Sequence, residues 1–361
     1  MIKSNAVPST QSIKYIGSKL KILPYILNIV QDIPFNAVLD GFSGSTRVSQ
    51  AFAQLGFKVT ANDIAVWSET LGKAYLLNQK NPKEYQELID YLNSLKGYYG
   101  WFSEHYGGSQ KEFAKKPFQL KNTMKLDAIR DAIDRLNLEE IEKAVALTSL
   151  MLALDAVDNT LGHFSAYLSK WSARSYKDLV LRVPQLFVNS CTNEVFRQDI
   201  FTLIEGRAFD LAYFDPPYGS NNEKMPPSRV RYSAYYHFWK TLILNDKPAI
   251  FGSAKRREDT RDEIAASVFE EFRKDESGHY IAMQAIHRLI AKTQANYILL
   301  SYSSGGRATR QELFDILCAE GKLLKMAEID YKRNVMTYMR WTNQWTNDMS
   351  SHKEYLFLIK K

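Results

Sequence analysis

A short apolar run at residues 37–39 ends in Asp40, and a turn of small residues follows from Gly41 to Thr46. Apolar positions then recur at helical spacing over residues 47–55, and Gly56 closes the segment. The pattern predicts a strand, a Gly-containing turn and a helix with a C-terminal stop. Residues 57–61 alternate like a strand and end at Asn62-Asp63; a helix is predicted over residues 67–77. Together these form a β-α-β unit, the opening of a parallel α/β sheet. Strand signals resume at residues 209–214, stopped by Asp215-Pro216-Pro217, and again at residues 296–301, before Gly305-Gly306. Thr309 and Glu312 have capping-box spacing and open the next helix. Residues 354–359 predict a last strand.

Residues 81–194 have a different texture. Helical patterns surround an aromatic, Gly-containing stretch at residues 97–108, without a β-α-β rhythm. The expected organisation is an α/β domain made of residues 1–80 and 195–361, interrupted by a mainly helical insertion, 81–194.

The 361 residues suffice for one large domain or two medium ones with a sizeable core. A composition of 45% hydrophobic and 24% charged residues excludes a disordered tail, a collagen-like rod and a disulfide scaffold. The longest nearly apolar run, residues 144–154, is well below the roughly 20 residues of a membrane span. The first residues have no apolar signal region, and Cys191 and Cys318 are far apart, so a reducing cytoplasmic setting is expected. Neither the six histidines nor the cysteines show metal-ligand spacing, so no metal is expected.

The net charge of +7 is unevenly spread. Residues 81–194 carry 14 basic against 15 acidic side chains. Residues 222–261 carry nine basic against four acidic, interleaved with Tyr232, Tyr235, Tyr236, Phe238 and Trp239. Such a stretch suits phosphates and bases, or is a solvated face with its aromatics in the core.

Three features carry candidate chemistry. Small residues at 40–45, between a strand and a helix, let backbone approach a ligand at a helix N-terminus that favours negative charge. The spacing is not G-x-G-x-x-G. Asp63 ends the second strand about twenty residues on, where an acidic side chain binds ribose hydroxyls or caps a helix. With Asp40 and Gly44 it suggests an adenosine-bearing cofactor. Asp215-Pro216-Pro217-Tyr218 is the most specific signal. An exocyclic base amine has two N–H donors and a lone pair delocalised into its ring. A carboxylate and a fixed backbone carbonyl accept both hydrogens and favour a more tetrahedral nitrogen. Two prolines stiffen the loop, and Tyr218 offers a face for an extruded base.

With these residues in place, the chain resembles the Dam-like, alpha-group DNA adenine methylases that use S-adenosylmethionine. The resemblance covers most of the chain outside the insertion. The segment Lys14 to Lys19 resembles the N-terminal cofactor motif, with Tyr15 as its aromatic and Lys19 as its lysine. The segment Asp40 to Thr46, including Phe42, Gly44 and Ser45, resembles the D-x-F-x-G-x-G loop. Asp63 matches the ribose-binding acid; Asp199 and Ile200 resemble the residues near the cofactor adenine. Asp215, Pro216, Pro217 and Tyr218 match the catalytic motif, and residues 298–305 resemble the strand and turn beside the target-base pocket. The chain departs from the family at Gly41, where a proline is usual, and at Thr46, where the loop ends in glycine. Tyr15 replaces a tryptophan seen in some members.

The resemblance implies a Rossmann-like methyltransferase sheet with helices on both faces, and a target-recognition role for the insertion. It implies transfer to the 6-amino group of a flipped adenine in double-stranded DNA, with a cognate restriction endonuclease as a candidate partner. The same nitrogen chemistry serves cytosine, and a catalytically silent DNA-binding module on this fold stays open. Candidate DNA contacts are Lys170 and Arg174 in the insertion, Arg229 and Arg231, and the run Lys255-Arg256-Arg257, which alternatively pairs with the acids after it.

Overall fold

The computed structural model describes residues 7–109, 115–218, 232–261, 267–271, 273–331 and 352–361. Its centre is a seven-stranded sheet of β1 (Ala37–Asp40), β2 (Lys58–Asn62), β5 (Glu194–Phe196), β6 (Ala208–Phe214), β9 (Gln294–Ser303), β10 (Lys322–Tyr331) and β11 (His352–Lys360). Two-residue pairs, β3 (Gly107–Gly108) with β4 (Phe118–Gln119) and β7 (Ile250–Phe251) with β8 (Arg256–Arg257), lie apart from it. The sheet order is β10-β11-β9-β6-β1-β2-β5. The five strands from β9 to β5 pair in parallel, whereas β11 runs antiparallel between β9 and β10.

Alternation along the strands sorts two cores. Val38, Leu211, Tyr213, Leu299, Leu356 and Leu358 face one side, against α1 (Leu23–Ile29) and α2 (Arg47–Gln54). Leu39, Ala212, Phe214, Ile298, Leu300, Phe357 and Ile359 face the other, against α8 (Ile200–Ile204), α11 (Ile281–Lys292) and α12 (Arg310–Glu320). With side-chain period 2, both faces of the central strands are covered, as a parallel sheet requires. The expected Rossmann-like sheet with helices on both faces is present. Gly56 closes α2 with a φ of +88°, and α12 opens with the Thr309–Glu312 capping box.

A third core is built largely from residues 81–194, the segment expected to be an insertion. It joins α4 (Gln86–Ser94), α5 (Trp101–Tyr106), α6 (Leu120–Arg135) and α7 (Glu140–Val157). It does not close on itself. Trp67, Leu71 and Tyr75 of α3 (Val66–Leu76) share it, as do Phe238, Trp239 and Leu242 of α10 (His237–Leu244). The buried Arg130 of α6 donates from Nε to Leu242 O at 2.6 Å and from Nη2 to Ile243 O at 2.9 Å. It satisfies carbonyls that the end of α10 leaves without helical partners. Residues 237–244 are thus joined in space to the core of residues 81–194.

Candidate active site

Strand β1 is flanked by β2 on one side and β6 on the other. This is the switch point of the sheet, where open α/β folds form a crevice at the carboxyl ends of their strands. A cavity of about 910 Å³ lies there, bounded by the turn after β1, Asp63 after β2, and Asp215 to Tyr218 after β6.

The turn is built by its backbone. Gly41 N donates to Tyr213 O at 3.0 Å, and Ser43 N to Asn62 O at 2.8 Å. A proline at 41 would forfeit the first of these. Gly44 takes a φ of +46°, and Tyr15 ring atoms lie 3.5 Å from where its Cβ would stand. Thr46 also has a positive φ, +59°, a conformation that favours glycine. Thr46 Oγ1 accepts a hydrogen bond from Gln50 Nε2 at 2.9 Å.

Asp40 Oδ2 accepts from Ser49 Oγ at 2.6 Å. Its Oδ1 is buried and has no hydrogen-bond partner of good geometry among the described residues. Burial pushes this carboxyl up to about 7, against the Ser49 hydrogen bond. Asp63 Oδ2 accepts from Gly44 N at 2.8 Å and Oδ1 from Ala65 N at 2.9 Å. Burial raises it too, opposed by those N–H groups. Each oxygen keeps a lone pair for a ligand hydroxyl.

Asp199 caps α8 by accepting from Phe201 N at 2.9 Å and lines the same cavity as Ile200. Phe269 packs edge-on against Phe42 at 5.1 Å and stacks on Phe201 at 5.9 Å. These rings make an apolar wall suited to a flat heterocycle. Tyr15 stacks on Tyr236 at 4.8 Å and on Tyr232 at 5.5 Å, and Ile16 N donates to Tyr236 Oη at 2.7 Å.

Lys19 Nζ lies 2.8 Å from Asp215 Oδ1 and 2.8 Å from Glu354 Oε1. Ser301 Oγ donates to the same Glu354 oxygen at 2.8 Å. Burial disfavours the Lys19 ammonium, but the two carboxylates overrule it and hold its pKa well above the ordinary lysine value. Burial pushes Asp215 up to about 7; Lys19 opposes the rise and Glu354 adds to it. Tyr218 packs on Tyr302 at 5.2 Å, with Lys19 Nζ 5.7 Å from its ring centre. Pro216 and Pro217 line the cavity beside it.

The cavity thus gathers Tyr15, Lys19, Asp40, Phe42, Gly44, Ser45, Asp63, Asp199, Ile200 and the motif Asp215 to Tyr218. The basic candidates behave differently. Lys170 is exposed. Arg174 donates to Asp158 O at 2.7 Å and Thr160 O at 2.5 Å, and its guanidinium pairs with the Asp158 carboxylate at 2.8 Å. Of the two readings of the run 255–257, phosphate contact or pairing with acids, Arg257 shows the acid pairing. It is 4% exposed, forks onto both oxygens of Asp246 at 2.7 Å, and reaches Asp259 at 3.1 Å. Of its two acids, Asp259 follows the run, whereas the bidentate partner Asp246 precedes it. Arg256 packs 5.0 Å over Phe251 and donates to Thr260 O, while Lys255 O accepts from Tyr106 Oη at 2.8 Å. Arg229 and Arg231 lie outside the described residues. In the segment 163–176, Phe164 is core, stacked on Phe238 at 4.7 Å.

Sequence reading missed Glu354 and Phe269, and gave Ser301 only as part of residues 298–305. Each comes from a strand or helix far from the motifs, and no local spacing marks it.

Comparison with known proteins gives consistent findings. The family described as D12 class N6 adenine-specific DNA methyltransferase matches residues 15–268. The type II methyltransferase M.FokI of Planomicrobium okeanokoites is 27% identical over 368 aligned residues, spanning 96% of this chain and 52% of that protein. The modification methylase StsI of Streptococcus sanguinis is 29% identical, spanning 84% and 46%. The chain thus spans about half the length of these two relatives. The type II methyltransferase M.NlaIII of Neisseria lactamica is 26% identical, spanning 96% and 99%.

Proposed function

The chain belongs to the D12 class of N6 adenine-specific DNA methyltransferases, and from that premise we propose that it methylates the 6-amino group of a flipped adenine in double-stranded DNA. The methyl donor in this reading is S-adenosylmethionine. The cavity fits that group on its own terms. Asp40 Oδ1, buried and without a partner of good geometry, suits the methionine ammonium; the Asp63 oxygens suit ribose hydroxyls; the Phe42, Phe201 and Phe269 wall suits adenine. The Gly44-Ser45 turn suits the methionine carboxylate.

The carrying observation is Asp215, at the switch point, with one carboxylate oxygen held by Lys19. Asp215 Oδ2 accepts one amine hydrogen and the Pro216 carbonyl the other, with Tyr218 as the stacking face for the base. These contacts aim the nitrogen lone pair toward the donor side of the cavity. The bound donor supplies a methyl group on a sulfonium, already a good leaving group. Asp215 receives the proton that the methylated amine releases. Positioning and electrostatics therefore carry the rate, with no covalent enzyme intermediate.

The inserted segment serves target recognition in this reading, with the exposed Lys170 facing the duplex. The relatives' names, a type II methyltransferase and a modification methylase, support a restriction-modification setting, with a cognate endonuclease acting on the same site and a cytoplasmic location as parts of this reading.

The test is incubation with labelled S-adenosylmethionine and a mixed-sequence duplex, followed by nucleoside analysis. Label in 6-methyladenine is the expected result. Label in the cytosine amine would keep the mechanism and change the base; no label in DNA would overturn the reading.

A further inference from the structure

Glu354 lies on β11, 5% exposed, 335 residues from its partner Lys19 and outside the region that the family match covers. A buried carboxylate is costly unless it is paired. Here it is paired with an ammonium that already serves Asp215. Lys19 Nζ is 2.8 Å from an oxygen of each acid, so those oxygens lie no more than 5.6 Å apart. Two carboxylates share one cation, and the trio carries net negative charge when all are ionised. Ser301 fixes the Glu354 oxygen that Lys19 uses. Asp215 Oδ1 is buried under Lys19, which leaves Oδ2 as the oxygen for a ligand.

We infer that Glu354 is a positioning residue: by drawing the Lys19 ammonium toward itself, it keeps the Asp215 carboxylate a strong proton acceptor. The inference rests on the proposed function and deepens it. In the transfer step the amine nitrogen forms a bond to the methyl carbon, and the carbon–sulfur bond breaks with its electron pair passing to sulfur. The nitrogen then carries positive charge and loses one proton to Asp215. A carboxylate paired with a lysine of its own would be a poor acceptor for that proton. A carboxylate whose lysine is divided accepts it more readily. The other ionisable groups facing Asp215 are Asp40 on β1, Tyr213 on β6, Tyr15, Tyr218 and Tyr232. Burial holds all four tyrosines neutral at working pH, so Lys19, Glu354 and Asp40 set the local field.

Glu354→Gln retains the shape and both hydrogen-bonding partners but removes the charge. Loss of a negative charge within about 6 Å lowers the midpoint of Asp215 by about 1–2 pH units. Two measurements on the full chain read it. Carboxyl carbon NMR of aspartate-labelled protein follows the Asp215 titration directly, with Asp215→Asn in each background assigning the signal. The pH profile of methyl transfer follows it through the acid limb. A fall in both midpoints, with Glu354→Asp staying near wild type, is the expected result. An unmoved Asp215 midpoint in Glu354→Gln would overturn the inference, whether or not the variant is less stable. The NMR titration needs no turnover. If the parent chain transfers no methyl group, the proposed function fails on its own, while the charge relation is still decided.

Discussion

Gly41 and Phe214 occupy one space: two carbons of the Phe214 ring lie 2.7 Å from where a Cβ on residue 41 would stand. The ring belongs to β6 and is fully buried, and Ile200 closes the other side at 3.1 Å. Gly41→Ala is expected to cost about 2–3 kcal/mol, because the ring and the strand behind it must shift. Gly41→Pro costs more, since it also removes the bond to Tyr213 O. Urea unfolding of the two variants reads the difference. A Gly41→Ala chain as stable as the parent would show that the ring yields freely.

Asp215→Asn is expected to lower single-turnover methyl transfer by at least about 100-fold. The amide still accepts a hydrogen bond but takes no proton. Retention of DNA changes far less, because phosphate contacts supply most of the affinity. Turnover near the parent level would remove Asp215 from its assigned role.

Asp40 and Asp215 both stand at about 7 in the folded chain against 3.8 for a free aspartate. The folded state therefore binds more protons than the unfolded state between those values. From these two groups, stability falls as pH rises from about 4 to about 7 and is level above. Asp40→Asn removes its share of the slope and raises stability at pH 8 by on the order of 2 kcal/mol. Thermal unfolding from pH 5 to pH 8 checks it. A parent and variant with parallel curves would contradict the buried charge.

Arg257→Met is expected to lower stability by about 1–2 kcal/mol, since it removes the guanidinium fork from Asp246, while Asp259 keeps its pair with Lys240 at 2.7 Å. The salt dependence of DNA retention stays that of the parent. Lys170→Gln is the reverse case. It leaves Tm alone and reduces the salt slope by about one. Equal slopes in Lys170→Gln and the parent would take Lys170 off the duplex.

The strands and the motif turns were legible because their physics is local. A short apolar run ended by Asp40, then small residues, has few other solutions than a strand and a tight turn. The apolar run at residues 354–359 was enough to place a strand there, though not enough to seat it between β9 and β10. The rest depends on contacts distant in sequence. Arg257 reads as a surface base until Asp246 is seen to meet its guanidinium. The aromatics at 232–239 left a nucleic-acid face and a core position both open, and Phe238 and Trp239 are core of the helices of residues 81–194. Glu354 has no signature at all, since its meaning comes from Lys19 at the opposite end of the numbering.

The placement of β11 has a temporal consequence. β9 and β10 precede it in sequence, but each pairs with β11 and not with the other. During synthesis the edge of β9 therefore waits for a strand that emerges more than fifty residues later. Contacts so remote in sequence form slowly and late. Glu354 arrives with that strand, so the charge balance around Lys19 and the closing of the sheet are completed in one event.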